Sequence, residues 1–378
     1  MSIKPLILGL SGATISKDER EFFLVTPVYG FILFKRNIDS APQLQVLVAD
    51  LRNLYPNRQI YIFIDQEGGR VARLKYPLIS KDYPAGEYFS KIYDQQGSIA
   101  AYEAVKDNYY QLTKDIKFYD IDSPCAPVAD LTYSYTDGAI GDRSLGSSTE
   151  KVIQLCLGAA EGITAGGGLA IIKHIPGHGR ATCDSHFELP RIKTSLAELE
   201  TTDFAVFRGL AKHENIRFAM TAHIILDALD SNLPVTISAK AIKYIREKIG
   251  FNGLLITDDL SMLALHGRVG KDYHLIKKAI TLTKQGSFAD AKDQLRKIED
   301  LGDKTLALLN DQLGDYLDKL LQILRKKYLE SLKNVASQSI KASCDLVLHC
   351  SGDLGEMKII ANAVDDVNLE ASMNQINL

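Results

Sequence analysis

Eight short apolar runs, most of them separated by longer stretches of helical periodicity, set the main constraint on how this chain folds. The runs are Leu6–Leu10, Gly30–Phe34, Ile60–Ile64, a less regular one near Cys125–Val128, Leu169–Lys173, Phe218–Thr221, Leu254–Thr257 and Leu346–His349. Several are apolar on both faces, the signature of parallel strands covered by helices. The intervening helical patterns include Ala41–Leu54, Glu150–Ala165, Leu196–Lys212 and Ala239–Lys248. Eight strands in strand–helix order within 378 residues predict an α/β protein, a single-domain (β/α)8 TIM-type barrel. An open doubly wound sheet is the alternative, weakened because no GxGxxG follows the first strand.

Polar residues fall at the ends of four of these runs. Asp65 ends the third, Lys173 and His174 the fifth, Thr221 and His223 the sixth, Asp258 and Asp259 the seventh. One such Asp is readily explained as a helix cap. Four successive polar ends point instead to a shared site on one face of the strands.

Residues 268–333 break the rhythm, with no strand and no proline. Leu317, Leu320, Leu321, Leu324 and Tyr328 recur at helical spacing. Gly286, Gly302 and Gly314 mark expected breaks between helices. The expectation is an inserted helical subdomain of three or four helices after the seventh strand. It leaves residues 1–267 and 334–378 as the barrel, with a helix over Ala336–Ser343.

The formal net charge of −3 argues against a broad electrostatic grip on nucleic acid. Five cysteines, an odd number without a CxxC, fit a reducing compartment. The start has no basic leader, and no run of about 18 apolar residues suggests a membrane span. The expected location is the cytoplasm.

The chemistry concentrates in Lys173-His-Ile-Pro-Gly-His-Gly179 and Asp184-Ser-His186. A carboxylate two residues from an imidazole can orient the ring and stabilise its charged form, giving an acid/base near neutral pH. A surface loop with a capping Asp is the plainer reading. Gly177 and Gly179 suggest that this loop moves. Asp258 can attack an electrophilic carbon, with Asp259 as structural support. Lys173 is a donor suited to hydroxyl groups, while His174 is either a ligand or half of a buried His–Asp pair. Asp65-Gln-Glu-Gly-Gly-Arg70-Val-Ala-Arg73 offers an acceptor, a glycine turn and two guanidinium groups, and Arg143 adds another fork donor. The histidines also raise a metal-dependent hydrolase. There is no HExxH, however, and Pro176 and Gly177 forbid the single helix that would align His174 with His178.

Taken together, these motifs resemble the glycoside hydrolase family 3 β-N-acetylhexosaminidases of bacterial peptidoglycan recycling. The similarity runs to about Gly267 and resumes over Ala336 to about Val364. The resemblance implies a retaining enzyme that works without a cofactor or metal. Its substrate would be terminal N-acetylglucosamine on muropeptides such as the disaccharide with 1,6-anhydro-N-acetylmuramic acid. It implies Asp258 as nucleophile, His186 as acid/base and Asp184 as its partner, with Asp65, Arg73, Arg143, Lys173 and His174 on the sugar. Ile175 stands where the family usually has Phe, and residues 268–333 replace a brief connection. The alternatives are a related β-glucosidase or β-xylosidase, or a non-catalytic muropeptide sensor with a protein partner at the insertion.

Overall fold

The computed structural model describes residues 2–298 and 313–368. Its centre is one sheet of seven parallel strands: β1 (Ser2–Gly9), β2 (Val28–Leu33), β3 (Tyr61–Ile64), β4 (Ala170–Ile175), β5 (Ile216–Thr221), β6 (Leu254–Asp259) and β7 (Leu346–His349). Their spatial order is β3-β2-β1-β7-β6-β5-β4. Representative pairings are Phe31 with Ile62, Leu6 with Val347, Leu255 with Ala219 and Ile172 with Ala219. A short segment, Val367–Asn368, pairs antiparallel with the start of β1.

The expected closed eight-stranded TIM-type barrel is therefore not what forms. The sheet is open, with β3 and β4 as its edges. The run near Cys125–Val128, expected as a fourth strand, is irregular. It makes only isolated bridges, Phe63 with Ser123 and Val128 with Lys173. The reason is local. Pro124 and Pro127 have no N–H to give a ladder, and Cys125 has a φ of 49°, outside the strand region. Single hydrogen bonds remain, from Ile64 N to Ser123 O at 3.0 Å and from Ile171 N to Ala126 O at 2.8 Å.

Strand alternation sorts the core into two layers. Ile7, Ile32, Phe63, Ile171, Phe218, Ile256 and Leu348 share one cluster made almost wholly of strand residues. Leu6, Leu8, Phe31, Ile62, Ile172, Leu255 and Val347 point the other way, into the larger cluster shared with the helices. Two buried faces explain why the strands read as nearly unbroken apolar runs. Each such Leu, Ile or Phe contributes roughly 1.5–3 kcal/mol by leaving water. Helix Thr149–Ala165 lies hard against helix Ser98–Lys117 at Gly162, where a Cβ would meet Lys106 O at 2.2 Å.

After β6 come helices Gly267–Lys284 and Phe288–Arg296, turning at Gly286 with φ of 80°. A single 29-residue helix, Leu313–Lys341, then leads to β7. That helix begins at Leu313, beside the expected break at Gly314, and the separately expected helix Ala336–Ser343 is its continuation as far as Lys341. Gly302 lies outside the described residues. Ile276, Ala279, Ala291, Leu295, Ile298 and Leu317 form a small apolar cluster of their own. Tyr328, Leu332 and Ala336, further along the long helix, belong to the main core. Among the described residues, no helix is long and apolar enough to cross a membrane.

Because all seven strands are parallel, their carboxyl ends lie along one edge, and the loops that follow them build one site.

Candidate active site

A cavity of about 370 Å³ opens at that edge, within the range of small-ligand sites. Asp65, Arg73, Arg143, Lys173, His174, Asp184, His186 and Asp258 all line it. The eight residues singled out from the sequence are thus brought together, although the sheet that carries them is not the one expected.

Asp258 lies near the end of β6, and its side chain is largely buried. Burial alone would raise its pKa. The imidazoles of His174 and His223, and the Asp259 N–H that reaches Asp258 Oδ1 at 2.8 Å, outweigh it and hold the group down at about 2. Asp258 is therefore a carboxylate at any ordinary pH. Its neighbour Asp259 is spent on structure. Asp259 Oδ1 accepts from the N–H groups of Ser261 and Cys350, both at 2.9 Å.

The His174 ring bridges two acids. Nδ1 is 2.7 Å from Asp130 Oδ2, and Nε2 is 3.9 Å from Asp258 Oδ2. Asp130 is fully buried and also accepts the His178 N–H at 2.6 Å. Burial opposes its charge, but His174 and that N–H lower its pKa overall. His174 is therefore both a member of a buried His–Asp pair and a wall of the cavity. His223 is buried further back. Its Nε2 faces the carbonyl of Asp259 at 3.1 Å, so Nε2 carries the proton and Nδ1 accepts from Thr236 Oγ1 at 2.7 Å.

A second group of charges closes the opposite wall. Lys173 Nζ lies 2.6 Å from Glu67 Oε1 and 3.5 Å from Asp65 Oδ1. Arg143 grips Glu67 with two parallel bonds of 2.8 Å, and Arg73 Nη2 meets Asp65 Oδ2 at 2.8 Å. Burial disfavours the Glu67 carboxylate, yet Arg143 and Lys173 pull its pKa well below the usual range. Burial likewise opposes the Lys173 charge, and Glu67 and Asp65 more than restore it. The wall is a set of fixed hydrogen-bond donors and acceptors lining the cavity.

Asp184 and His186 sit on the loop after β4. His186 Nδ1 is 2.7 Å from Asp184 Oδ1, which also accepts the His186 N–H at 2.8 Å. The His186 side chain is 62% exposed, so its Nε2 is free to meet a ligand entering the cavity. Several contacts tie the loop down. His178 Nε2 meets Ser185 Oγ at 3.1 Å, the Leu263 N–H donates to His186 O at 3.2 Å, and Thr136 Oγ1 donates to Gly179 O at 2.6 Å. Only glycine fits at 179, because a Cβ would lie 1.7 Å from Leu131 O. Burial, reinforced by nearby His174, lowers the His178 pKa to about 4 and keeps that ring neutral.

Sequence reasoning gave no role to Glu67 or Asp130, and weighed His178 only as a metal ligand. Glu67 sits inside the motif that begins at Asp65. Asp130 follows the irregular fourth run, and the rule applied to the other runs, a polar residue at the end, would have found it.

A buried carboxylate, an exposed carboxylate–imidazole pair and a wall of hydroxyl-binding charges around one sugar-sized cavity mark a glycoside hydrolase. Residues 4–280 match the glycosyl hydrolase family 3 N terminal domain. The chain is 36% identical over 259 residues to a beta-hexosaminidase of Tolumonas auensis, covering 68% of this chain and 74% of that one. It is 34% identical over 267 residues to a beta-hexosaminidase of Neisseria meningitidis serogroup B, covering 70% and 72%. The crystal structure of NagZ from Neisseria gonorrhoeae in complex with N-trifluoroacetyl-D-glucosamine aligns with a TM-score of 0.74 at 26% identity, covering 100% of this chain and 90% of that one. The chain belongs to glycosyl hydrolase family 3.

Proposed function

We propose that this protein is a retaining β-N-acetylhexosaminidase that removes terminal N-acetylglucosamine through a covalent intermediate on Asp258. The observation that carries this reading is the pairing, in one cavity, of a carboxylate held ionised with an imidazole backed by its own carboxylate. Support for the sugar comes from the relatives named beta-hexosaminidase and from the N-trifluoroacetyl-D-glucosamine bound by the gonococcal NagZ.

The steps follow from the geometry. Protonated His186, its charge stabilised by Asp184, gives its proton to the glycosidic oxygen. Asp258 attacks the anomeric carbon as the carbon–oxygen bond breaks, and the aglycone leaves as an alcohol. The neutral ring then takes a proton from water. The resulting hydroxide attacks the same carbon and expels Asp258. Two displacements retain the anomeric configuration. The weak basicity of Asp258 helps the second step, where it is the leaving group. Asp65, Arg73, Arg143 and Lys173 bind sugar hydroxyls, and His174 steadies Asp258. No step calls for a metal or cofactor.

The substrate is a muropeptide fragment, N-acetylglucosamine linked to 1,6-anhydro-N-acetylmuramic acid, and the setting is peptidoglycan recycling in the cytoplasm. The helices Gly267–Lys284 and Phe288–Arg296 act as part of an insertion beside the site. Release of the chromophore from an aryl β-N-acetylglucosaminide tests the activity. Release from the wild type, and its loss in Asp258→Asn with the fold intact, is the expected result. Faster hydrolysis of the plain glucoside or xyloside would move the sugar assignment. Binding of N-acetylglucosamine with no turnover of any glycoside would make the protein a sensor instead.

A further inference from the structure

His349 ends β7 beside β6, where Leu348 pairs with Asp259. Its side chain is wholly buried, and its ring stands between two carboxylates. Nδ1 is 3.9 Å from Asp259 Oδ1. Nε2 is 3.1 Å from Glu356 Oε2 and 2.8 Å from Ser351 Oγ. Glu356 is buried as well, on the helix Leu354–Ala363 that follows β7. Burial opposes the Glu356 charge, and His349 and Ser351 lower its pKa overall. Neither His349 nor Glu356 lines the sugar cavity.

Stability does not account for this pair. His349 Nδ1 and Glu356 Oε2 are buried without a hydrogen-bond partner among the described residues. A partly satisfied buried polar pair is commonly no more stable than apolar side chains of similar size. What the pair has is a neighbour, Asp259. The Asp259 N–H donates to Asp258 Oδ1 at 2.8 Å, and the Asp259 carbonyl accepts from His223 Nε2 at 3.1 Å. The direction of that N–H depends on the Asp259 side chain, which Ser261 and Cys350 hold and His349 faces.

We propose that His349 and Glu356 are positioning residues for the nucleophile. Glu356 and Ser351 fix the His349 ring, the ring faces the Asp259 carboxylate, and Asp259 aims Asp258 through its N–H. The contact between His349 and Asp259 is too long for a hydrogen bond and acts electrostatically, in an interior where water screens it little. The inference rests on the hydrolase reading above and adds to it two residues that do not touch the sugar.

A fluorinated N-acetylglucosamine analogue that labels Asp258 and turns over slowly tests this. Mass measurement gives both the number of labelled sites and the rate of labelling. The variants are Glu356→Gln, His349→Gln and the apolar pair His349→Leu/Glu356→Met. Each is expected to reach the wild-type number of labelled sites, with the labelling rate per site down by about tenfold. The Kd for N-acetylglucosamine should stay within about twofold, because a misaimed nucleophile slows bond formation and leaves sugar binding alone. The apolar pair separates aim from folding. Its urea midpoint should match or exceed that of the wild type while the rate loss persists. Adding His349→Gln to Asp259→Asn should slow labelling by less than about twofold more, since the two act on one path. Labelling at the wild-type rate per site in Glu356→Gln and in the apolar pair overturns the proposal, even where fewer sites label. So does full additivity of His349→Gln with Asp259→Asn. Failure of the wild type to label at all is a different result: it overturns the hydrolase reading and the positioning role with it.

Discussion

His174 Nε2 lies 3.9 Å from Asp258 Oδ2, and the far side of the same ring is held at 2.7 Å by the buried Asp130. The ring thus carries the influence of a buried acid to the carboxylate that does the chemistry. Its orientation is set by Asp130, which keeps the Nδ1 proton and fixes which nitrogen faces the cavity.

Asp130→Asn leaves the shape of that contact but weakens control of the ring. The expected effect is a loss of about tenfold to a hundredfold in kcat, with a smaller change in KM, because a misplaced supporting group costs most in the transition state. Steady-state kinetics on an aryl glycoside give both numbers. A rise in KM alone would assign Asp130 to the fold rather than to the positioning of His174.

Asp184→Asn removes the charge that stabilises protonated His186. Proton donation matters most for a poor leaving group, so the loss should reach about 10²–10⁴ on an alkyl glycoside. It should be far smaller on a dinitrophenyl glycoside, whose phenolate leaves unaided. His186→Gln should show the same dependence on the leaving group. A uniform loss across the series would contradict an acid/base role for the pair.

Glu67→Ala strands two buried cations. Arg143 loses both of its bonds to the carboxylate, and Lys173 keeps only its longer contact to Asp65. Breaking a buried pair in this way costs about 3–5 kcal/mol. Urea unfolding measures it. Glu67→Gln, which retains some hydrogen bonding, should recover part of the loss.

His178 makes stability depend on pH. Its folded pKa is about 4 against 6.5 unfolded, chiefly through burial. Between those values the unfolded ring takes up a proton that the folded ring refuses. Stability is therefore fully present above 6.5 and declines as pH falls toward 4. The decline amounts to roughly 3 kcal/mol for this group. In His178→Gln the slope of unfolding free energy over that interval should flatten. An unchanged slope would place the titration elsewhere.

The polar ends of the strands were legible because the parallel sheet obeys a simple rule: the residue after the last apolar position enters the site. Asp65 follows it directly, and His174 and Asp258 come one residue later, after Lys173 and Thr257. That the sheet stays open was not legible, because the count of apolar runs does not register that Pro124, Cys125 and Pro127 deny one run a strand's hydrogen bonds. Asp130 was legible by the same rule, had it been applied to the irregular fourth run. Glu67 escaped notice for another reason: it works through Arg143, a partner distant in the chain, and spacing along the sequence carries no trace of such a pair.

The covalent role of Asp258 is tested most directly by trapping. A fluorinated N-acetylglucosamine analogue that forms the glycosyl-enzyme quickly and hydrolyses slowly is incubated with the protein, and the proteolytic peptides are weighed. The expected result is one added sugar on the peptide containing Asp258, absent from Asp258→Asn. Turnover of ordinary substrate without any such adduct, or an adduct on another residue, would contradict it.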